Sequence, residues 1–110
     1  MLAKRYRLSA AFFKGSPLVR PHKKENDFFV VRRYPSVRGY TRFAVVISKK
    51  IASSAVVRTR MRRSLYEYIR VQRGWARPGG DVVVMIRAPL IGDRAHVGRA
   101  LQQEGGIILG

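Results

Sequence analysis

The feature that most constrains the fold is an apolar repeat between residues 53 and 73. Five apolar side chains recur there at intervals of three and four residues, namely Val57, Met61, Leu65, Tyr68 and Ile69. This spacing predicts a helix that packs on another element by one apolar stripe. Ser53 or Ser54 can begin it, because a serine hydroxyl accepts a hydrogen bond from a free amide of the first turn.

The same helix is predicted to carry a dense group of cations. Those in and just before its first turns are Lys49, Lys50, Arg58, Arg60, Arg62 and Arg63, with no acidic residue among them. Like charges four residues apart repel each other, and cations at a helix N-terminus oppose the helix dipole. A polyanion would remove both penalties, so the helix is predicted to bind phosphates, most simply those of nucleic acid. The alternative is a solvated helix face that happens to be basic.

Composition narrows the classes of protein to which the chain can belong. Its 110 residues suit one domain spanning 1–110, and 46% hydrophobic residues are enough for a folded core. The net charge of +17 favours a polyanionic partner. The absence of cysteine excludes disulfides and thiolate metal sites. The longest apolar runs are strand-sized, so no membrane span and no membrane partner are predicted.

Three apolar runs predict the strands of a sheet. They cover residues 27–34, 42–48 and 81–87, and the third is apolar on both faces. Because the connection between the first two is short, they are predicted to pair as an antiparallel hairpin. A further strand at 18–22 is weakened by prolines, and residues 93–103 predict a second helix.

The sequence offers no group of residues arranged for catalysis by the protein alone. Among its six acidic residues no pair is spaced for general acid–base work, and His22 and His96 are single and far apart. Glu25 and Asp27 could hold a metal, but a solvated strand end is the simpler interpretation. No serine stands in a nucleophile elbow, and there is no Gly-Lys-Ser/Thr phosphate loop. Another molecule is therefore expected to supply the reacting groups.

Two segments resemble the protein subunit of bacterial ribonuclease P. Residues 42–50 read RFAVVISKK and end in Ser-Lys-Lys, as a strand of that family does. Residues 55–65 read AVVRTRMRRSL, where the family has an Arg-Asn-Arg motif followed by further cations. Residues 81–89 look like the family's last strand, and residues 4–13 look like a shortened version of its opening segment.

The resemblance implies a single-domain α+β sandwich, in which a long basic helix packs on a mixed sheet of about four strands. It also implies a left-handed crossover, against the usual right-handed rule for parallel connections. The implied activity is that of the protein subunit of an RNA-based endoribonuclease, which removes the 5′ leader of precursor tRNA. Hydrolysis would belong to the catalytic RNA and its magnesium ions, so no catalytic residue and no metal ligand are expected in the protein.

The resemblance further implies the partners and the site. The expected partners are the catalytic RNA and precursor tRNA in the cytoplasm, with no protein partner required. The residues expected to bind RNA are Lys49, Lys50, Arg58, Thr59, Arg60, Arg62, Arg63 and Arg70. Those expected to form a cleft for the single-stranded leader are Phe12, Phe13, Phe29, Val31 and Tyr66. Two residues depart from the family pattern: Thr59 replaces the motif's asparagine, and Tyr66 stands where another cation is usual.

Two other classes of protein would share the charge. A structural RNA-binding protein of ribosomal type, without a nuclease role, has no reason to keep Ser-Lys-Lys followed at this distance by Arg-Thr-Arg. A nonspecific DNA-binding or nucleoid protein is the other class. An arginine-rich helix that packs on a sheet and a cleft for single strands would both argue against this second class.

Overall fold

The computed structural model describes residues 2–8, 21–26, 28–35, 39–73, 76, 80–87, 101–102 and 105–109. Their elements, in chain order, are a 3-10 turn Lys4–Tyr6, strands β1 His22–Glu25, β2 Phe29–Tyr34 and β3 Arg42–Val46, helix α1 Ala55–Val71, strand β4 Asp81–Ile86 and the one-turn helix α2 Gly106–Leu109. Within these ranges, no helix combines the length and apolar character that crossing a membrane requires.

Helix α1 confirms the helix predicted from the apolar repeat. Ser54 is its N-cap, and the Ser54 hydroxyl accepts a hydrogen bond from the Val57 amide at 3.4 Å. The strand predicted at 18–22 overlaps β1 at His22 alone, because Pro21 precedes β1 and residues 18–20 lie outside the described residues. Most of the helix predicted at 93–103 also lies outside them, although residues 101 and 102 are helical.

The four strands form one mixed sheet in the order β1-β2-β4-β3. Strand β4 is antiparallel to β2 and parallel to β3, so the connection from β3 through α1 to β4 is a parallel crossover. The mixed sheet with a packed helix confirms the predicted fold class, and the hand of the crossover stays a prediction.

The predicted pairing of β2 with β3 is wrong, because β4 lies between them. Five of the six residues of β4 are buried, and the sixth is half-buried. A strand that is apolar on both faces is best accommodated with a strand on either side and layers above and below. The short loop after β2 is compatible with either arrangement, so loop length alone did not decide the pairing.

Helix α1 covers one side of the sheet, which we call the helix face. The strand residues on this face are Phe29, Val31, Phe43, Val45, Val82, Val84 and Ile86, and they form one core with Met61, Leu65, Tyr66 and Ile69 of α1. The same core also includes Leu2, Ile47, Ile51, Ala52, Leu101 and Ile108. The main hydrophobic core of the described residues therefore lies between the sheet and its helices.

The alternate strand residues lie on the opposite side, which we call the distal face. They include Val30, Arg32 and Tyr34 of β2, Ala44 and Val46 of β3, and Val83 and Met85 of β4. Among the described residues, Leu8, Ala44 and Val83 form a small buried cluster there, against which Tyr34, Val46 and Met85 pack half-buried. The distal face therefore presents a shallow apolar surface with cations beside it.

The outer edge of β3 is held by two hydrogen bonds from different parts of the chain. The Leu8 amide donates to the Phe43 carbonyl oxygen at 2.8 Å, which fixes the N-terminal segment along the strand. The Val45 amide donates to the Tyr66 hydroxyl oxygen at 3.3 Å. At the start of the strand, Arg42 forms a bidentate pair with Asp81 of β4, at 2.9 and 3.0 Å. Hydrogen bonding to Asp81 raises the pKa of Arg42 above its ordinary value.

Candidate nucleic-acid interface

The turn that leads into α1 presents two lysines to solvent. The amides of Ile51 and Ala52 donate to the Ser48 carbonyl oxygen at 3.1 and 3.3 Å. Ile51 and Ala52 are buried, whereas Lys49 and Lys50 are exposed. Burial of the two apolar residues thus fixes the turn, and the lysines of this turn face outward.

Arg58 ties this lysine turn to the first turn of α1. Its Nη1 donates to the carbonyl oxygens of Ala52 and Ser53, at 2.9 and 2.8 Å. These carbonyls place partial negative charge beside the guanidinium, which offsets the unfavourable position of a cation near a helix N-terminus. The sequence predicted only an RNA contact for Arg58, and the structure adds an intramolecular contact that orients the turn.

The Thr59 hydroxyl donates its hydrogen bond within the helix. Its Oγ1 donates to the Ala55 carbonyl oxygen at 2.9 Å and accepts from Nη2 of Arg62 at 3.4 Å. An asparagine at this position would offer both a donor and an acceptor to a partner, whereas this hydroxyl offers lone pairs only. Thr59 therefore helps to orient the half-buried Arg62 rather than replacing the family's amide.

Arg60 and Arg63 project from the solvent side of α1. At about 100° per residue they lie opposite the stripe formed by Met61, Leu65 and Ile69, and both are exposed. Neither forms an ion pair with a described residue. These two guanidiniums therefore have their charge and their donors available to a partner.

Arg70 is exposed as well, but its charge is offset by Glu67. The Arg70 Nε lies 3.1 Å from each Glu67 carboxylate oxygen, and Nη2 also forms an ion pair with that carboxylate. Hydrogen bonding from Arg70 lowers the pKa of Glu67 to about 2, so the carboxylate is charged at neutral pH. The uncompensated positive charge of α1 is thus concentrated in its first half, up to Arg63.

The structure places three of the predicted cleft residues in the core. Phe29, Val31 and Tyr66 are 0%, 3% and 9% exposed and pack on the helix face, so they present almost no surface to a partner, and the leader cleft stays a prediction. β2 is apolar on both sides, and sequence alone could not tell which side α1 would cover. Phe12 and Phe13 lie outside the described residues.

Tyr66 has a structural role that explains its departure from the family pattern. Replacing Tyr66 by phenylalanine is expected to lower the free energy of unfolding by about 1–3 kcal/mol, since the buried Val45 amide would lose its acceptor. Denaturant unfolding would measure the loss. Tyr68→Phe is the matched control, because Tyr68 is only half-buried. Equal stability of the Tyr66→Phe variant and the parent would contradict this role.

The distal face combines a half-buried apolar surface with Arg32 and with Lys23, whose ammonium lies 3.6 Å from a Glu25 carboxylate oxygen. Arg32 lies opposite Lys23 of β1 in the sheet register, and its Nη1 is 3.0 Å from the Met85 sulfur. The apolar side chains lie on the β3 and β4 side, and Tyr34 stands at the end of β2. An aromatic ring, an apolar shelf and neighbouring cations are the groups that bind unpaired nucleotides.

Within the described part of the chain, no three potential metal ligands of the His, Cys, Asp or Glu type lie together. Glu25, the described member of the carboxylate pair considered as a metal site, instead forms ion pairs with Lys23 and Arg87, at 3.6 and 3.7 Å. This agrees with the simpler interpretation of a solvated strand end. Asp27 lies outside the described residues.

Comparison with known proteins decides the family. A family model described as Ribonuclease P matches residues 5–102. The chain belongs to the ribonuclease P protein family.

Individual members of the ribonuclease P family show how far the similarity extends. The ribonuclease P protein component of Rippkaea orientalis is 38% identical over 47 residues, a match that spans 43% of this chain and 37% of that relative. The solved RNase P protein of Staphylococcus aureus superposes with a TM-score of 0.69 at 22% identity, covering 96% of this chain and 98% of the other. That of Thermotoga maritima gives 0.68 at 22% identity, covering 94% of each. These structures confirm the fold.

Proposed function

We propose that this chain is the protein subunit of a ribonuclease P, which binds the catalytic RNA and the 5′ leader of precursor tRNA and assists removal of that leader. The observation that carries the proposal is the uncompensated positive charge at the start of α1. Its exposed members are Lys49, Lys50, Arg60 and Arg63, beside the half-buried Arg58 and Arg62. We further propose that it acts in the cytoplasm.

The position of the α1 cations favours binding to the phosphates of a large RNA. Arg60 and Arg63 point away from the core, while Arg58 holds the lysine turn against the same end of the helix. Bound phosphates would relieve both the mutual repulsion of these cations and their opposition to the helix dipole. The Glu67–Arg70 pair favours a footprint that ends before Arg70, because a charged carboxylate repels RNA.

For the leader, we assign the distal face in place of the buried residues of the helix face. Tyr34 and the apolar shelf of Val46 and Met85 would receive unpaired bases, and Arg32 would contact phosphates. The support for this assignment is that these side chains are half-buried or exposed and lie on one side of the sheet.

Hydrolysis of the phosphodiester is assigned to the RNA partner, which would also hold the magnesium ions that this chemistry requires. The described residues of the protein do not bring three metal ligands together. What the protein contributes in this proposal is binding and orientation. Binding energy of this kind accelerates a reaction when it aligns the substrate with the catalytic groups.

Reconstitution tests the proposal directly. The purified protein with precursor tRNA and magnesium should cut nothing, because the reacting groups are assigned to RNA. With a bacterial ribonuclease P RNA at subsaturating magnesium, it should raise the rate of cleavage at the mature 5′ end by roughly tenfold or more, the equivalent of about 1.4 kcal/mol of added binding. Gel analysis of the labelled leader and tRNA would measure this, with the RNA alone as control.

Two results would contradict the proposal. Cleavage by the protein alone that survives removal of contaminating RNA would place the chemistry in the protein. A catalytic RNA whose cleavage rate is unchanged by the protein would favour the structural RNA-binding alternative. Sequencing of RNA that co-purifies with the protein would then identify the bound species.

A further inference from the structure

Tyr6, Tyr40 and Arg5 lie together at the N-terminal end of β3, and Arg7 follows Tyr6 in the segment that runs along that strand. The ring centroids of Tyr6 and Tyr40 are 5.4 Å apart, with 83° between the ring planes. The guanidinium carbon of Arg5 lies 5.2 Å from the Tyr6 centroid. We call Arg5, Tyr6, Arg7 and Tyr40 the tyrosine cluster. Because edge-to-face contact covers at most one face of each ring, the pair itself leaves at least one face of Tyr40 uncovered.

Rigid elements hold the two tyrosines in place. The Tyr6 amide donates to the Ala3 carbonyl oxygen at 3.0 Å, and the segment then joins β3 through the bond from Leu8 to Phe43. Tyr40 directly precedes Thr41, which is 1% exposed. Thr41 in turn precedes Arg42, the first residue of β3. The lysine turn follows the other end of β3. Lys49 is nine residue steps after Tyr40, which corresponds to roughly 30 Å at most along an extended chain.

The charges of the tyrosine cluster lack carboxylate partners among the described residues. The described carboxylates are those of Glu25, Glu67 and Asp81, and each forms an ion pair with a cation outside the cluster. Arg7 is half-buried, and its Nε is enclosed without a hydrogen-bond acceptor. Because the Nε is enclosed, only the terminal nitrogens of Arg7 are left to meet an anion from solvent.

We propose that the tyrosine cluster is a second RNA-binding site, which takes an unpaired nucleotide with its base on Tyr40 and its phosphates beside Arg5 and Arg7. Every base has a face that stacks on an aromatic ring, whereas an acidic peptide would use only the cations. The base must be unpaired, because a base inside a duplex cannot stack on a side chain. The protein thereby contacts RNA at both ends of β3.

A short oligouridylate, titrated into the isotope-labelled full chain, tests this site by nuclear magnetic resonance. The amides of residues 5–7 and 39–41 should shift to saturation, and their titration gives the local dissociation constant. Tyr40→Leu should weaken that constant roughly 5- to 150-fold, the range expected for loss of one base–aromatic stack. Tyr40→Phe, which keeps the ring, should bind like the parent.

Two controls separate this site from the proposed ribonuclease P function. The double variant Arg60→Ala, Arg63→Ala should keep the dissociation constant measured at the tyrosine cluster, because both residues lie on α1. Arg5→Gln should lower the magnitude of the slope of log K against log salt, read at the same amides, by roughly 0.7. This second variant also covers the case in which Tyr40→Leu does not fold.

Three results would overturn the tyrosine cluster as an RNA site. The first is a titration in which these amides do not shift. The second is an unchanged dissociation constant for a folded Tyr40→Leu variant, or an unchanged salt slope for Arg5→Gln. The third is a polyglutamate titration that shifts the same amides with the affinity and the dependence on Tyr40 found for oligouridylate. That result would identify a general anion or peptide surface.

Discussion

Replacement of Phe29 by alanine is expected to lower the free energy of unfolding by about 3–5 kcal/mol, the usual cost of truncating a buried phenylalanine. Phe29 has no exposed surface and lies in the core between the sheet and α1. The loss combines the transfer of the ring to water with the cavity that remains between β2 and the helices. Denaturant unfolding would measure it.

The same variant distinguishes the two faces of the sheet when it is compared with Tyr34→Ala. After correction for the unfolded fraction, Phe29→Ala should bind precursor tRNA and mature tRNA as the parent does. Tyr34→Ala, on the distal face of the same strand, should weaken the binding of precursor tRNA by about 1–3 kcal/mol if one base stacks there. Mature tRNA, which lacks the leader, should be unaffected. A selective loss of precursor binding in Phe29→Ala would contradict the assignment of the faces.

Replacement of Arg60 and Arg63 together by alanine is expected to weaken binding of the catalytic RNA and to make that binding less sensitive to salt. Each lost phosphate contact lowers the magnitude of the slope of log K against log salt by roughly 0.7–0.9, so two lost contacts give roughly 1.4–1.8. RNA titrations at several salt concentrations would measure this slope.

The stability of the double variant is expected to equal or exceed that of the parent. Both side chains project into solvent, and their removal reduces cation repulsion near a helix N-terminus. Arg70→Ala is the matched control, because its charge is offset by Glu67, and it should leave the salt slope nearly unchanged. An unchanged slope in the double variant would mean that these cations are simply solvated.

The elements that could be predicted are those whose formation depends on residues close together in the sequence. The repeat from Val57 to Ile69 predicts α1, and its N-cap Ser54 is one of the two serines that could begin the helix. The runs of apolar residues at 27–34, 42–48 and 81–87 predicted β2, β3 and β4. Periodicity and capping act over a few residues, so they can be read from the sequence without knowledge of the fold.

The order of the strands and the choice of the buried face depend on contacts between distant segments. β4 comes last of the four strands in sequence yet lies between β2 and β3, because a strand that is apolar on both faces is best enclosed. On β2, Phe29 and Val30 are both apolar, and the packing of α1 decided which side became the core. The predicted cleft residues Phe29 and Val31 therefore became core, because neighbouring strand residues point to opposite faces.

By itself the sequence determined the basic helix, the apolar strands, the net charge and, through the motifs on β3 and α1, the family. Only the tertiary structure decided how particular polar side chains are used. Arg58 binds the carbonyls of Ala52 and Ser53, and Tyr66 accepts from the Val45 amide on a neighbouring element. A charge pattern shows which residues are cations. Which of them meets a carboxylate, a carbonyl oxygen or solvent depends on what folding brings within hydrogen-bond distance.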